Sequence, residues 1–292
     1  MIPVEILKKI RRIQITTGRL VTNVFAGEYK SVFKGRGLEF HEVREYMVGD
    51  DVRMIDWNVS ARSGSSKLYI KKFVEERELT VMLLLDASRS NYFGTTASIK
   101  KDIAAEVCSV MAGSAIKNND RVGIIIFTDR IEKYVPPRKG FRHVTRVIRD
   151  ALYFKPAGKG TDIPHCLQYL DKVSTRSTIS FIVSDFYTPD IKKSLAIANK
   201  RHDIVAINIL DPRDMSMPDI GIAKLYDAET GKARLVDTSS KSVRDEYAAK
   251  AAERIRNVKK VFYATNIDSI DINTAIPYTD ALVNFFNRRK KR

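Results

Sequence analysis

Several residue types that mark particular protein classes are scarce in this sequence. The 292 residues include only two cysteines, Cys108 and Cys166, each inside a segment predicted to be helical. This disfavours a secreted disulfide framework and favours a reducing compartment. No apolar run approaches about 18 residues, so no transmembrane helix is predicted. The N-terminal residues lack the apolar core and cleavage site of a signal peptide, and we therefore expect a cytoplasmic protein of bacterial type.

The sequence also has few of the residues that usually carry catalysis. Its four histidines are scattered without metal-ligand spacing. There is no Gly-x-Ser-x-Gly element, and Gly158–Thr161 lacks the spacing of a phosphate loop. Asp86 could open a phosphatase site, but the acid required two residues later is replaced by Ser88. We expect no enzymatic activity, and a metal-dependent hydrolase is the weaker alternative.

Positive charge is present in excess. The chain has 51 Lys and Arg against 35 Asp and Glu, a net charge of +16, and Arg288–Arg292 is entirely basic. Such a balance favours anionic partners, which include nucleic acid, acidic lipid surfaces and acidic proteins. Nucleic-acid or anionic-surface binding is one alternative function, although no reader motif is present. Weak contact of the basic tail with a membrane surface is another.

Apolar runs without polar alternation recur along the middle of the chain. They occur at 80–85, 121–127, 178–184 and 203–210. Runs of this kind are typical of strands buried on both faces, and segments with helical spacing lie between them. The pattern predicts an α/β fold with a doubly wound, mostly parallel, Rossmann-like sheet, accompanied by a small β-rich accessory domain.

The domain organisation follows from changes in this pattern. The predicted parts are an N-terminal helix near 3–17 within a β-rich region at 1–78, an α/β domain at 79–215, a β-hairpin at 216–238, and C-terminal helices with a strand at 260–264 within 239–292. We expect the hairpin to pair with the early β region. The last part should close the α/β domain and end in the basic tail.

The β-rich region contains a dense group of charged residues around the single tryptophan. Its members are Arg44, Asp50, Asp51, Arg53, Asp56, Trp57 and Arg62. One interpretation is a structural network of ion pairs with the tryptophan in a core. The other is a partner-docking surface in which Trp57 is the aromatic anchor. The sequence leaves both open.

Oxygen-bearing side chains follow the ends of predicted strands. Asp86, Ser88 and Ser90 follow the first buried strand, Thr161 precedes a helix, and Asp185 follows the third buried strand. Ligands collect at the carboxyl ends of strands in open parallel sheets, and Mg²⁺ prefers hard oxygen donors. We predict that these five residues form a metal site. The alternative for the first three is a helix cap and turn.

These residues carry a resemblance to known families. The five oxygen-bearing positions resemble the metal-ion-dependent adhesion site of von Willebrand factor A domains. The string from Gly35 through Gly49-Asp50-Asp51 and Asp56-Trp57 to Ala61-Arg62 resembles the domain of unknown function 58 family. The resemblance implies Mg²⁺ as cofactor, with Mn²⁺ or Ca²⁺ as alternatives, and capture of an acidic residue of a protein partner. It also implies a chaperone or complex-assembly role with a MoxR-type AAA+ ATPase or its client as partner.

Overall fold

The computed structural model describes residues 38–63, 67–75, 78–95, 99–226 and 231–291. The chain divides into two compact units, a smaller one at Phe33–Glu78 and a larger one that includes Leu79–Arg292. The helix predicted near 3–17 lies outside the described residues.

The smaller unit contains a two-stranded antiparallel sheet. Strand β1 (Leu38–Glu45) pairs with β2 (Tyr69–Glu75), and helix α1 (Trp57–Arg62) lies between them in the chain. The connection is tied to β2, because the backbone N–H of Asp56 donates to the carbonyl of Tyr69 at 2.8 Å. The region is therefore an ordered β-containing unit.

The larger unit is built around a central sheet. The strands of the larger unit are β3 (Thr80–Asp86), β4 (Arg121–Phe127), β5 (Ile131–Arg138), β6 (Ile179–Ser184), β7 (Asp203–Leu210), β8 (Ile222–Tyr226), β9 (Ala233–Asp237) and β10 (Asp268–Asn273). Six of them form one sheet in the order β10-β7-β6-β3-β4-β5. All pairings in this sheet are parallel except that of β4 with β5.

Helices follow the strands in alternation. They are α2 (Lys100–Lys117), α3 (Phe141–Tyr153), α4 (Ile163–Val173), α5 (Lys192–Arg201), α6 (Pro212–Met215), α7 (Lys241–Ala264) and α8 (Tyr278–Lys290). One core joins Met82 and Leu84 of β3 to residues of α4, α5 and α7. Val81 and Leu83 alternate with these and point to the opposite face, and α2 contacts β3 and β4. The predicted doubly wound, mostly parallel α/β fold is confirmed.

The prediction of a strand at 260–264 is wrong, because these residues continue helix α7. Val258, Val261 and Phe262 have helical spacing and pack against the core, whereas Tyr263 is 91% exposed. The strand lies a few residues later, at β10, where it pairs in parallel with β7.

The predicted hairpin is formed by β8 and β9, which pair antiparallel with each other. Among the described strands they make a sheet of their own. The pairing of the hairpin with the early β region stays a prediction.

Both cysteines, Cys108 and Cys166, are free and buried. Burial raises the pKa of the Cys108 thiol to about 12, so its reactive thiolate form is suppressed. Among the described residues, no helix combines the length and apolar character needed to cross a bilayer.

Candidate functional site

The predicted metal-site residues meet at one edge of the central sheet. Counted along the sheet from β5, the strands follow the order 3-2-1-4-5-6, so the direction in which successive strands are added to the sheet reverses between β3 and β6. In open α/β sheets this switch point leaves a crevice beyond the carboxyl ends of the two strands. Asp86 ends β3, and Asp185 directly follows β6.

Asp86 is held in a buried position at the end of β3. The strand is apolar over Val81–Leu85, and the carboxylate that terminates it is only 2% exposed. Its Oδ1 accepts the backbone N–H of Ser88 at 2.9 Å, and its Oδ2 accepts the Ser184 hydroxyl at 2.6 Å. The Thr161 hydroxyl is 3.4 Å from the same Oδ2. Two side chains and one backbone N–H, from three separate segments, therefore converge on one carboxylate.

The two serines of the Asp86-x-Ser88-x-Ser90 element lie side by side. Their hydroxyl oxygens are 3.0 Å apart. Asn91 fixes the loop, because its side-chain amide donates to the Asp86 carbonyl at 3.1 Å and to the Ser88 hydroxyl at 3.3 Å. The turn expected as the alternative is thus present. Its effect is to bring the two hydroxyls together beside the carboxylate.

The loop that carries Thr161 is fixed to its neighbours by backbone contacts. Arg89 N–H donates to the Lys159 carbonyl at 3.0 Å, and Asp162 N–H donates to the Thr128 carbonyl at 2.9 Å. A Cβ on Gly158 would lie 2.1 Å from the Thr128 hydroxyl, so only glycine fits this approach. The loop is therefore positioned by both β3 and β4.

Asp185 supplies a second buried carboxylate. Its side chain is 6% exposed, its Oδ1 accepts the Tyr187 N–H at 3.2 Å, and its Oδ2 accepts from the Lys100 ammonium at 3.0 Å. Burial, and then the negative charge of Asp185, raise the pKa of the Asp86 carboxyl to about 6. A positive charge near both acids would stabilise the charged form of Asp86 against its burial and against the repulsion from Asp185.

Sequence reasoning missed three residues of this site. Lys100 is 2% exposed and also donates to Asp214 at 3.0 Å, and Ser184 donates to Asp86. Lys100 could have been noticed in the sequence, because it is the first residue of α2 and a cation is disfavoured at a helix N-terminus. A lysine at this position indicates a nearby acidic partner. Ser184 and Asp214 give no local signal, since their roles depend on the tertiary fold.

The donor set fits a hard divalent cation. Two carboxylates and three hydroxyls are available, from Asp86, Asp185, Ser88, Ser90 and Thr161. Within the described ranges, no three His, Cys, Asp or Glu side chains are grouped to hold a metal ion. A cation at this edge would therefore depend on the hydroxyl oxygens as well as on the two acids, which suits Mg²⁺ better than softer metals.

The second predicted group, in the smaller unit, forms one strong ion pair. Arg44 donates to both oxygens of Asp50, at 2.9 and 2.6 Å. Asp50 also accepts the Met47 N–H at 2.9 Å. The hydrogen bond from Arg44, followed by that from Met47, holds the pKa of Asp50 below its usual range. This pair fixes the turn after β1.

The other acids of the group mainly cap helices. Asp51 accepts the Arg53 N–H at 3.0 Å, and Asp56 accepts the N–H groups of Asn58 and Val59 at the start of α1. The Arg53 side chain is 90% exposed and lies 3.7 Å from Asp51. Arg62, the last residue of α1, is also exposed.

Trp57 is 66% exposed, so the interpretation that placed it in a core is wrong. Met47, Val48 and Val52 of the same unit are also exposed.

A groove lies beside the candidate site of the larger unit. Its volume is about 730 Å³, and one wall is the segment Phe186–Lys192, which begins immediately after Asp185. Helix α7 forms the other wall, where the Arg254 guanidinium lies 4.6 Å from the centre of the Tyr187 ring. The groove is lined by apolar side chains and by charged side chains of both signs, among them Glu253 and Arg254.

Comparison with known proteins identifies sequence relatives. The family model described as "Protein of unknown function DUF58" matches residues 42–257. "Uncharacterized protein Rv1480" of Mycobacterium tuberculosis is 29% identical over 285 residues, which cover 97% of this chain and 89% of the relative. "Uncharacterized protein MAV169" of Mycobacterium avium is 30% identical over 161 residues, which cover 54% of this chain and 94% of the relative.

Solved structures show more distant similarity. BatB from Bacteroides thetaiotaomicron has a TM-score of 0.43 at 14% identity and covers 73% of this chain and 100% of its own. An aerotolerance-related membrane protein from Bacteroides fragilis has a TM-score of 0.45 at 13% identity, covering 73% and 98%. The VWA domain of SpRpn10 has a TM-score of 0.40 at 12% identity, covering 70% and 94%.

Proposed function

This chain belongs to the DUF58 family, and we propose that it is a divalent-cation-dependent protein-binding module that captures an acidic residue of its partner. The observation that carries the proposal is the convergence of two carboxylates and three hydroxyls at the switch point of the sheet. Asp86, Ser88, Ser90, Thr161 and Asp185 would hold the ion. Mg²⁺ is the proposed cation, with Mn²⁺ and Ca²⁺ as alternatives.

The mixture of charged and neutral donors supports a binding role. When bound, the cation supplies a position that attracts an Asp or Glu carboxylate of the partner. The five side chains supply one oxygen ligand each and Mg²⁺ prefers six, so one coordination position is left for a carboxylate of the partner. The buried Asp86 and its bond from Ser184 keep the base of the site fixed while the partner is exchanged.

We propose binding without catalysis. A nucleophilic role for Asp86 would need a nearby acid that moves protons, and the side chain two residues later is the Ser88 hydroxyl. The Asp86 carboxylate already accepts from Ser184 and from the Ser88 N–H, which suits a positioning role.

The proposed partner is a MoxR-type AAA+ ATPase or its client, as the family resemblance implies. The exposed Trp57 and the charged residues around it are the proposed second contact surface. Arg44 and Asp50 would shape that surface through their ion pair, while Trp57 would supply the apolar anchor.

A binding assay with the MoxR-type ATPase of the same cell tests the proposal directly. We expect the immobilised chain to retain the ATPase in Mg²⁺ and to release it in chelator. The Ser88→Ala and Asp86→Ala variants should lose retention, because each removes one oxygen ligand. Trp57→Ala should weaken retention without changing its dependence on Mg²⁺.

The matched control is Asp219→Ala, which removes an exposed acid that is not one of the five ligands and that pairs with Arg244. It should retain the partner like the unmodified chain. Retention that is equal in Mg²⁺ and in chelator, or equal in Asp86→Ala and Asp219→Ala, would contradict the cation-dependent mechanism. Salt-sensitive retention of DNA or anionic vesicles instead would favour binding through the basic charge.

A further inference from the structure

Lys100 is placed where a lysine is unfavourable on three counts. It is 2% exposed, although lysine is rarely buried unless it is paired. It is the first residue of α2, where the helix dipole already contributes positive charge. It also lies beside a site whose acids would hold a cation. Something in the structure must compensate for this placement.

Two carboxylates provide that compensation. The Lys100 ammonium donates to Asp185 Oδ2 and to Asp214 Oδ2, each at 3.0 Å. Asp185 is one of the five proposed ion ligands. Asp214 belongs to α6 and accepts the N–H of Asp211 through the same oxygen, at 2.9 Å. The ammonium therefore bridges the proposed ion site and the N-terminus of α6.

We propose that Lys100 is a built-in counter-cation of this site, which balances Asp185 when no divalent ion is bound and competes with that ion for the carboxylate. The inference rests on the ion site proposed above. A divalent ion and an ammonium on the same carboxylate repel each other strongly where water is excluded. Lys100 therefore weakens ion binding, and it keeps the acids balanced in the absence of the ion.

Asp214 gives the ammonium an alternative partner. When Asp185 binds a divalent ion, Lys100 can remain paired with Asp214 and does not become an unpaired buried charge. The affinity of the site for the ion is thus set by a residue that is not itself a ligand.

Lys100→Met tests the inference, because methionine keeps the length of the side chain and removes the charge. We expect calorimetric titration to show Mg²⁺ binding that is tighter by about tenfold or more in Lys100→Met. Lys101→Met is the matched control. Lys101 is the next residue of α2 but donates to the Tyr92 hydroxyl at 2.9 Å, so its loss should leave the Mg²⁺ affinity unchanged.

Thermal unfolding provides a readout that does not depend on the titration. In chelator, Lys100→Met should unfold at a lower temperature than Lys101→Met, because the buried Asp185 and the half-buried Asp214 have lost their counter-charge. Mg²⁺ should restore more of the stability of Lys100→Met than of the unmodified chain. Lys100→Arg keeps the charge and should behave like the unmodified chain in chelator.

The outcomes separate this inference from the proposed function. Equal Mg²⁺ affinity in the unmodified chain and Lys100→Met overturns the inference and leaves the function standing. Binding by Lys100→Met alone supports the inference and contradicts the function. Absence of binding in both overturns both.

A second variant covers the case in which Lys100→Met does not fold. Asp214→Asn removes the alternative partner and leaves the ammonium to Asp185, so Mg²⁺ binding should weaken relative to Asp219→Asn. Equal Mg²⁺ affinity in these two variants would overturn the inference.

Discussion

Asp86 is the residue on which the proposed site depends. It ends a strand that is buried on both faces, and it accepts hydrogen bonds from Ser88 and Ser184. Those bonds offset only part of the cost of removing its charge from water. Burial, with a further contribution from Asp185, raises the pKa of its carboxyl from an ordinary value of 3.8 to about 6. The charged form of Asp86 therefore destabilises the folded chain at neutral pH even with Lys100 beside Asp185, and a divalent ion at the site would offset this.

This shift predicts a pH dependence of stability in chelator. Because the pKa of Asp86 is higher in the folded chain than in the unfolded chain, its contribution is fully present below pH 3.8 and is lost as the pH rises through about 6. The stability of the unmodified chain should fall by about 3 kcal/mol relative to Asp86→Asn over this range. Urea unfolding at a series of pH values measures the difference. A difference that does not change with pH would contradict the assignment.

Helix α7 shows how tertiary contacts determine whether a segment forms a helix or a strand. Residues 260–264 are mostly β-branched or aromatic, which locally favours a strand. The preceding turns supply the helical spacing that places Val258, Val261 and Phe262 against the core. The Phe262 and Phe186 rings meet edge to face, with centroids 4.9 Å apart. The helix is thus stabilised by burial that only the folded sheet offers.

Two adjacent aromatic residues of α7 test this account. Phe262 is 2% exposed and Tyr263 is 91% exposed. Phe262→Ala should lower the free energy of unfolding by about 3–5 kcal/mol, because it leaves a cavity in the core. Tyr263→Ala should change it by less than about 0.5 kcal/mol. Urea unfolding of both variants distinguishes the helix from a strand that is buried on both faces, in which both substitutions would be costly.

Features that depend on a short stretch of sequence could be predicted from the sequence alone. The apolar runs at β3 and β7 gave the sheet, and the element Asp86-x-Ser88-x-Ser90 gave the first part of the site. Lys100 and Ser184 could not be placed, because their contacts with Asp185 and Asp86 join residues far apart in the chain. The exposure of Trp57 was equally hidden, since an isolated tryptophan carries no pattern that shows which way it faces.

The whole molecule combines a strand order, a pair of buried acids and an excess of positive charge. The order places the ends of β3 and β6 on either side of the switch point, and the loops beyond them carry four of the five oxygen-bearing side chains. The fifth, Thr161, comes from the loop before α4. The net charge of +16 would attract an acidic partner over longer distances, most effectively at low salt. The specific contact would then depend on the cation site.

Calorimetric Mg²⁺ titration tests the central claim most directly. The unmodified chain and the control Asp219→Ala should bind one Mg²⁺ ion per chain, whereas Asp86→Ala and Asp185→Ala should bind it more weakly by about tenfold or more. The two acids differ from Asp219 in converging with the hydroxyls of Ser88, Ser90 and Thr161 at the switch point. Absence of Mg²⁺ binding in the unmodified chain, or equal affinity in all four proteins, would contradict the proposed site.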